Sequence, residues 1–275
     1  MSRKRLRGAA ARRRQEDLRA PIAMGLAIAA LATVGAWLWW RSGIIPTTDA
    51  TTLCPEGGSP SEVVAVLLDM SDELTEPQRL AVKNGLAVQI DAVTRFGLVE
   101  IFAVDKVADR VIAPVVHRCN PGSGTDMNRW YQNPDIAKRR WNEFHRELEA
   151  ELTRLLSGQG ASASPIMEAI QAIALRTFNP PKYRTLARRL VVVSDLLQHV
   201  PEYSQYDQAS DFESFRTTPY FTKVRADLDG VKVSSLYLVR APTPQPWPAH
   251  RLFWEKYFSV QGAVLETITP IYGAK

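Results

Sequence analysis

The chain has 275 residues, of which 45% are hydrophobic and 23% charged, with 18 Pro, 15 Gly and two Cys. That profile excludes disorder as the main state and fits one globular domain with accessory segments. The net charge of +5 invites a nucleic-acid reading, but eight of the 34 Lys and Arg lie in the first 20 residues, against Glu16 and Asp17 alone. Together with Arg41 this stretch carries +7, which leaves −2 for everything else. The basic balance belongs to a tail, and no nucleic-acid partner is expected.

Residues 1–20 read as a basic cytoplasmic tail. Pro21 to Trp40, PIAMGLAIAALATVGAWLWW, contains no charge, and about 20 helical residues suffice to cross a hydrocarbon core of roughly 30 Å. The segment is expected to be a transmembrane helix, with Trp37, Trp39 and Trp40 at the interface. The excess of Arg and Lys before it places the amino end in the cytoplasm. The rest is then expected outside the cytoplasm, as the periplasmic part of a single-pass inner-membrane protein in a bacterium. A cleaved signal peptide is the competing reading, because Val34-Gly35-Ala36 offers small residues near a cleavage position.

Residues 41–61, with Pro46, Pro55, Gly57, Gly58 and Pro60, read as a linker into a domain spanning 62–275. Val63 to Leu68 is a short apolar run rich in β-branched residues, the form of a strand buried on both faces, and it ends in Asp69. Thr75-Glu76-Pro77 opens a helix predicted to run to about Thr94. Gly97 to Val104 and Arg110 to His117 are further strand candidates, and Asn120 to Asn133 is rich in turn residues. Ala137, Trp141, Phe144, Leu148, Leu152 and Leu155 mark one face of a long amphipathic helix that Gly158-Gln159-Gly160 stops. A helix from Pro165 to about Arg176, strands at Leu190–Asp195 and Val231–Val239, and a helix from Ala249 to Gln261 complete the pattern. Strands alternating with helices predict an α/β fold: a Rossmann-like, mostly parallel sheet flanked by helices.

Ligand sites in such folds lie at the carboxyl ends of the strands. Asp69, Ser71 and Glu73 follow the first strand, Ser164 precedes a helix, and Asp195 follows a later strand. Hard oxygens of this kind suit Mg²⁺ or Mn²⁺. Cys54 and Cys119 are the only cysteines. An oxidising compartment allows them to pair, and two free buried thiols are the alternative. The loop from Gln198 to Thr218 carries Tyr203, Tyr206, Phe212 and Phe215, candidate apolar anchors for a partner.

These residues together resemble the von Willebrand factor type A (VWA) domain. Its metal-ion-dependent adhesion site uses an Asp-x-Ser-x-Ser run, a Thr in a second loop and an Asp in a third. Asp69 and Ser71 match the first two positions, with Glu73 where the second Ser belongs. Ser164-Pro165-Ile166-Met167-Glu168-Ala169-Ile170 is similar to the family's Thr-Pro-x-x-x-Ala-Leu segment, with Ser164 for Thr. Val191-Val192-Val193-Ser194-Asp195 is similar to the third-loop strand and its Ser-Asp-Gly, with Leu196 for Gly. The resemblance spans residues 63 to about 262. It implies a VWA-like fold and a degenerate site of Asp69, Ser71, Glu73, Ser164 and Asp195 for a divalent cation.

The resulting expectation is a membrane-anchored module that holds a protein partner in the envelope, and not an enzyme. A structural envelope subunit with an empty site is the alternative. A metal-dependent hydrolase is a weaker one, since no His, phosphate loop or nucleophile–base pair accompanies the motifs.

Overall fold

The computed structural model describes residues 3–42, 47–104, 112–124, 133–157, 160–206, 211–240 and 243–273. The sequence expectations at Arg110, Gly158 and Gln159, and across 125–132, lie outside the described residues. Helix α1, Arg3–Ser42, contains Pro21–Trp40, a 20-residue stretch long and apolar enough to cross a membrane. Its large apolar side chains from Ile22 to Trp40 are exposed apart from the half-buried Leu38, with Trp39 at 80%.

The domain is a six-stranded sheet in the order β3-β2-β1-β4-β7-β8. The strands are β1 (Glu62–Leu68), β2 (Leu98–Ala103), β3 (Val116–Cys119), β4 (Ala187–Ser194), β7 (Lys232–Leu238) and β8 (Val264–Ile271). All neighbours pair in parallel except β2 and β3. Between β4 and β7 lies a two-stranded ribbon, β5 (His199–Val200) with β6 (Tyr203–Ser204). The predicted mostly parallel α/β sheet is therefore present.

Helices cover both faces. Val64, Val66 and Leu68 of β1 share one core with Val82, Leu86 and Ile90 of α2 (Glu76–Asp91) and Phe144, Leu148 and Leu152 of α3 (Pro134–Leu156). Val63, Ala65 and Leu67 face a second core, built with α4 (Ile166–Ile173) and later with α7 (Trp247–Val260). This is why β1 reads as a continuous apolar run: alternate side chains enter opposite cores. α2 starts at a capping box, Thr75 Oγ1 accepting from the Gln78 amide and Gln78 Oε1 accepting from the Thr75 amide.

Four sequence readings shift. The strand expected from Arg110 to His117 is absent across Ile112–Val115 and forms instead as β3, Val116–Cys119. The second half of the expected linker is part of the domain: Thr48 bridges Pro55, the Cys119 amide donates to the Thr52 carbonyl, and Cys54 is disulfide-bonded to Cys119. β8 follows the last predicted helix and was not read as a strand, because its exposed residues interrupt the apolar pattern. The helix from Pro165 does not stay α-helical to Arg176, since Ala174–Phe178 widens into a π-turn.

Candidate functional site

The chain passes from β1 through α2 to β2 on one side, then returns past β1 to place β4 on its other side. The carboxyl ends of β1 and β4 therefore form the point where the winding reverses, the crevice in which such sheets bind ligands. Asp69 is the first residue beyond β1, and its amide extends the ladder by donating to the Val193 carbonyl at 2.9 Å. Ser194 ends β4, and Asp195 follows it. Topology alone brings these residues side by side.

The third contributor is the segment before α4. Ala161 donates its amide to the Ser71 carbonyl at 2.8 Å, and Ser164 exchanges backbone hydrogen bonds with His199. Gly160 is required by the closeness of this contact, because a Cβ there would stand 2.5 Å from the Ser71 carbonyl oxygen. Ser164 leaves α4 without a side-chain cap and turns its hydroxyl to Asp69 Oδ2 at 3.0 Å. Ser194 Oγ donates to the same oxygen at 2.7 Å while accepting from the Leu196 amide. Asp69 Oδ1 accepts from the Ser71 amide at 3.1 Å.

Asp195 divides its oxygens in the same way. Oδ1 accepts from the Leu197 amide at 3.0 Å, and Oδ2 faces Arg240 Nε at 3.4 Å. Arg240, two residues beyond β7, also lies 3.6 Å from Asp72 Oδ2 through Nε and donates through Nη1 to the Glu73 carbonyl at 3.2 Å. Burial, and then the charge of Asp69, push the Asp195 carboxyl up to about 7. Arg240 acts in the opposite direction, but desolvation of the charged form outweighs it.

Leu196, the residue after Asp195, adopts φ +59°. The left-handed backbone is disfavoured for a residue with a Cβ. Its carbonyl is clamped by Trp254 Nε1 at 2.9 Å and His250 Nε2 at 3.1 Å. Burial holds His250 neutral, lowering its pKa to about 4. A neutral ring with the proton on Nε2 donates to Leu196 and leaves Nδ1 to accept from the Tyr237 hydroxyl, 3.2 Å away.

Of the five predicted ligands, Asp69, Ser164 and Asp195 are buried and drawn together. Ser71 is half-buried and engages the cluster through its main chain. Glu73 is exposed and supplies only its carbonyl oxygen to Arg240. The four predicted anchors divide as well. Tyr203, Phe212 and Phe215 are core residues, 4%, 3% and 2% exposed, and this corrects their reading as surface anchors. Phe212 and Phe215 lie on one face of α5 (Phe212–Arg216) and pack on Phe253 of α7, while Tyr203 packs on Phe215. Only Tyr206 is exposed, at 48%. Burial, then the carboxylates of Asp195 and Asp72, push its phenol up to about 12, which marks its place on the rim of the cluster.

Sequence reasoning passed over Arg240, although the apolar run Val231–Val239 ends immediately before it and the strand-end rule covers it. Its presence decides whether a divalent ion fits. Both Asp195 oxygens are engaged, the Ser164 and Ser194 hydroxyl protons are directed to Asp69, and an ion bound to Asp195 Oδ2 would be pressed against a guanidinium. With Arg240 seated there, the donor set does not fit a divalent cation.

No protein-family profile matches the chain, and no curated protein matches it. Among solved structures, it is similar to an aerotolerance-related membrane protein from Bacteroides fragilis carrying multiple mutations to serine, with 18% identity and a TM-score of 0.30. That match covers 64% of this chain and 66% of the other, just under two thirds of its length.

Proposed function

We propose that this chain is a membrane-anchored, extracytoplasmic VWA-like module that binds a protein partner at the carboxyl end of its sheet. The observation that carries this reading is the convergence of Asp69, Ser164, Ser194 and Asp195, from three separate segments, at the crevice where the winding reverses. Tyr206 stands at its rim as an exposed aromatic. Beside it Ser162, His199, Glu202 and Ser204 line an open depression of about 430 Å³. These groups recognise surfaces by hydrogen bonds and contact. The Ser–His contact among them, Ser204 Oγ to His199 Nδ1 at 3.0 Å, ties the β5–β6 ribbon together, and the same hydroxyl accepts from the Tyr206 amide. The Pro21–Trp40 helix supports anchoring, and the Cys54–Cys119 disulfide agrees with an oxidising compartment beyond the membrane.

The test is site-specific photo-crosslinking of the full chain in native membranes, with the probe at Tyr206 or at Val88, which is exposed on α2. One discrete protein adduct from Tyr206, absent from Val88, is expected. Adducts from Val88 alone would move the interface away from the strand ends.

A further inference from the structure

We propose that Arg240 is the resident cation of the strand-end acid cluster, holding with its own guanidinium the position a divalent ion would otherwise fill. The face is then assembled without metal.

The acids gathered here call for charge compensation. Asp69 and Asp195 are almost fully buried at adjoining strand ends, and Asp72 joins them on the loop after β1. Buried like charges repel and lose their hydration, so they persist only beside a compensating positive group or with a proton bound. Arg240 is placed to meet that need. β7 is the neighbour of β4, with Tyr237 paired to Ser194, so the chain three residues later rises beside Asp195. From there one side chain reaches both loops: Nε lies between Asp195 Oδ2 and Asp72 Oδ2, and Nη1 binds the Glu73 carbonyl. Only 19% of the side chain is exposed.

The shape of the group matters as much as its charge. A guanidinium spreads its charge and donors over a fixed plane, so Nε–H donates to Asp195, Nη1 binds the Glu73 carbonyl on the other loop, and the same charge lies within 3.6 Å of Asp72. The hydroxyls agree with this assignment, since Ser164 and Ser194 both turn their protons to Asp69 Oδ2. Arg240 thus ties the β1, β4 and β7 ends into one unit. This assignment does not depend on the module having a protein partner.

The test uses full-length protein in detergent, after treatment with chelator, as wild type, Arg240→Met, Arg240→Lys and Arg240→Met/Asp195→Asn. Thermal midpoints are read in chelator and in 1 mM MnCl₂, and Mn²⁺ binding is read by electron paramagnetic resonance. Wild type should have the same midpoint in both media and no saturable Mn²⁺ signal. Arg240→Met should fall by about 5–10 °C in chelator, recover in MnCl₂ and bind Mn²⁺ saturably, with that binding lost in the double variant. Arg240→Lys, which keeps the charge should the Met variant fail to fold, should stay insensitive to Mn²⁺. Saturable Mn²⁺ binding by wild type or Arg240→Lys would overturn the assignment. So would an Arg240→Met protein with an unchanged midpoint and no response to Mn²⁺.

Discussion

Glu100, in the middle of β2, and Asp195, just past the end of β4, are 4% and 3% exposed, yet the chain surrounds them differently. Glu100 is a single acid with a partner for each oxygen: His117 Nδ1 at 2.8 Å from Oε1, and the Thr177 hydroxyl donating to Oε2 at 2.6 Å. The two donors come from β3 and from the π-turn after α4, so the carboxylate joins three elements and repels nothing nearby. Asp195 stands beside Asp69 and near Asp72, with one arginine among three acids. Burial alone therefore does not distinguish a structural acid from a binding site. The difference lies in like charges brought together from separate loops, which only an external constraint or a cation holds in place.

The largest effect that should separate the two regions is reduction of the disulfide. Cys119 pairs with Leu98 in the register that sets His117 opposite Glu100, so the Cys54–Cys119 bond secures the Glu100 side of the sheet. Closing a 65-residue separation is worth up to about 4 kcal/mol in the chain-entropy model. Reduction should lower the unfolding free energy by that order. It should also speed amide exchange in β2 and β3 while the Ser71, Leu196 and Leu197 amides stay protected. Equal loss of protection at both places would erase the distinction.

A smaller and opposite pair of effects concerns charge. Asp195 has its carboxyl pushed up to about 7, so the folded state holds a proton that the unfolded chain releases near pH 4. The stabilisation from that proton is complete below about pH 4 and is lost as pH rises through 7, by roughly 2–4 kcal/mol. His250 opposes it over part of that range. Its lowered pKa favours the folded state above about pH 6.5, and this advantage is lost as pH falls toward 4. Comparing wild type with Asp195→Asn by denaturant unfolding isolates the first slope, and the Asn variant should gain on wild type between pH 5 and pH 8. At pH 8, Glu100→Gln should cost about 1–2 kcal/mol, because an amide cannot accept at both of its terminal atoms from Thr177 and His117. If both variants destabilise equally at pH 8, the two acids are not different in kind.

Much of this arrangement was legible in the residues. The apolar runs before Asp69 and Asp195 mark β1 and β4, and the rule that ligands sit at carboxyl ends points to Asp69, Ser71, Glu73, Ser164 and Asp195, of which Asp69, Ser164 and Asp195 are buried together. What escaped has physical reasons. Arg240 lies one residue past an apolar run, but a lone Arg after a strand has no signature of its own. Its meaning comes from the β4–β7 pairing, which is a long-range fact. Phe212 and Phe215 share a helix face of only five residues, too short for periodicity to register, so they read as loop aromatics when they belong to the core. β8 was missed because an edge strand with exposed faces lacks the alternation by which strands are recognised.

An effect as small as that of Glu100→Gln is expected at Leu196, where local strain and burial act against each other. At φ +59° a glycine would relieve about 1 kcal/mol of left-handed backbone cost. The Leu side chain, however, is 1% exposed within the core shared with α4 and α7, and its removal forfeits roughly 2–3 kcal/mol of apolar burial. Leu196→Gly should therefore destabilise by about 1–2 kcal/mol, even though glycine is the residue the backbone there prefers. The consequence reaches the site, because Leu196 connects Asp195 to the His250 and Trp254 clamp on its carbonyl. The same variant should loosen protection of the Leu197 amide, which donates to Asp195 Oδ1. Glu100 lies on the opposite side of β1 from β4, so its surroundings should be unaffected. A stabilised Leu196→Gly protein would mean that backbone strain, and not the buried side chain, decides this position.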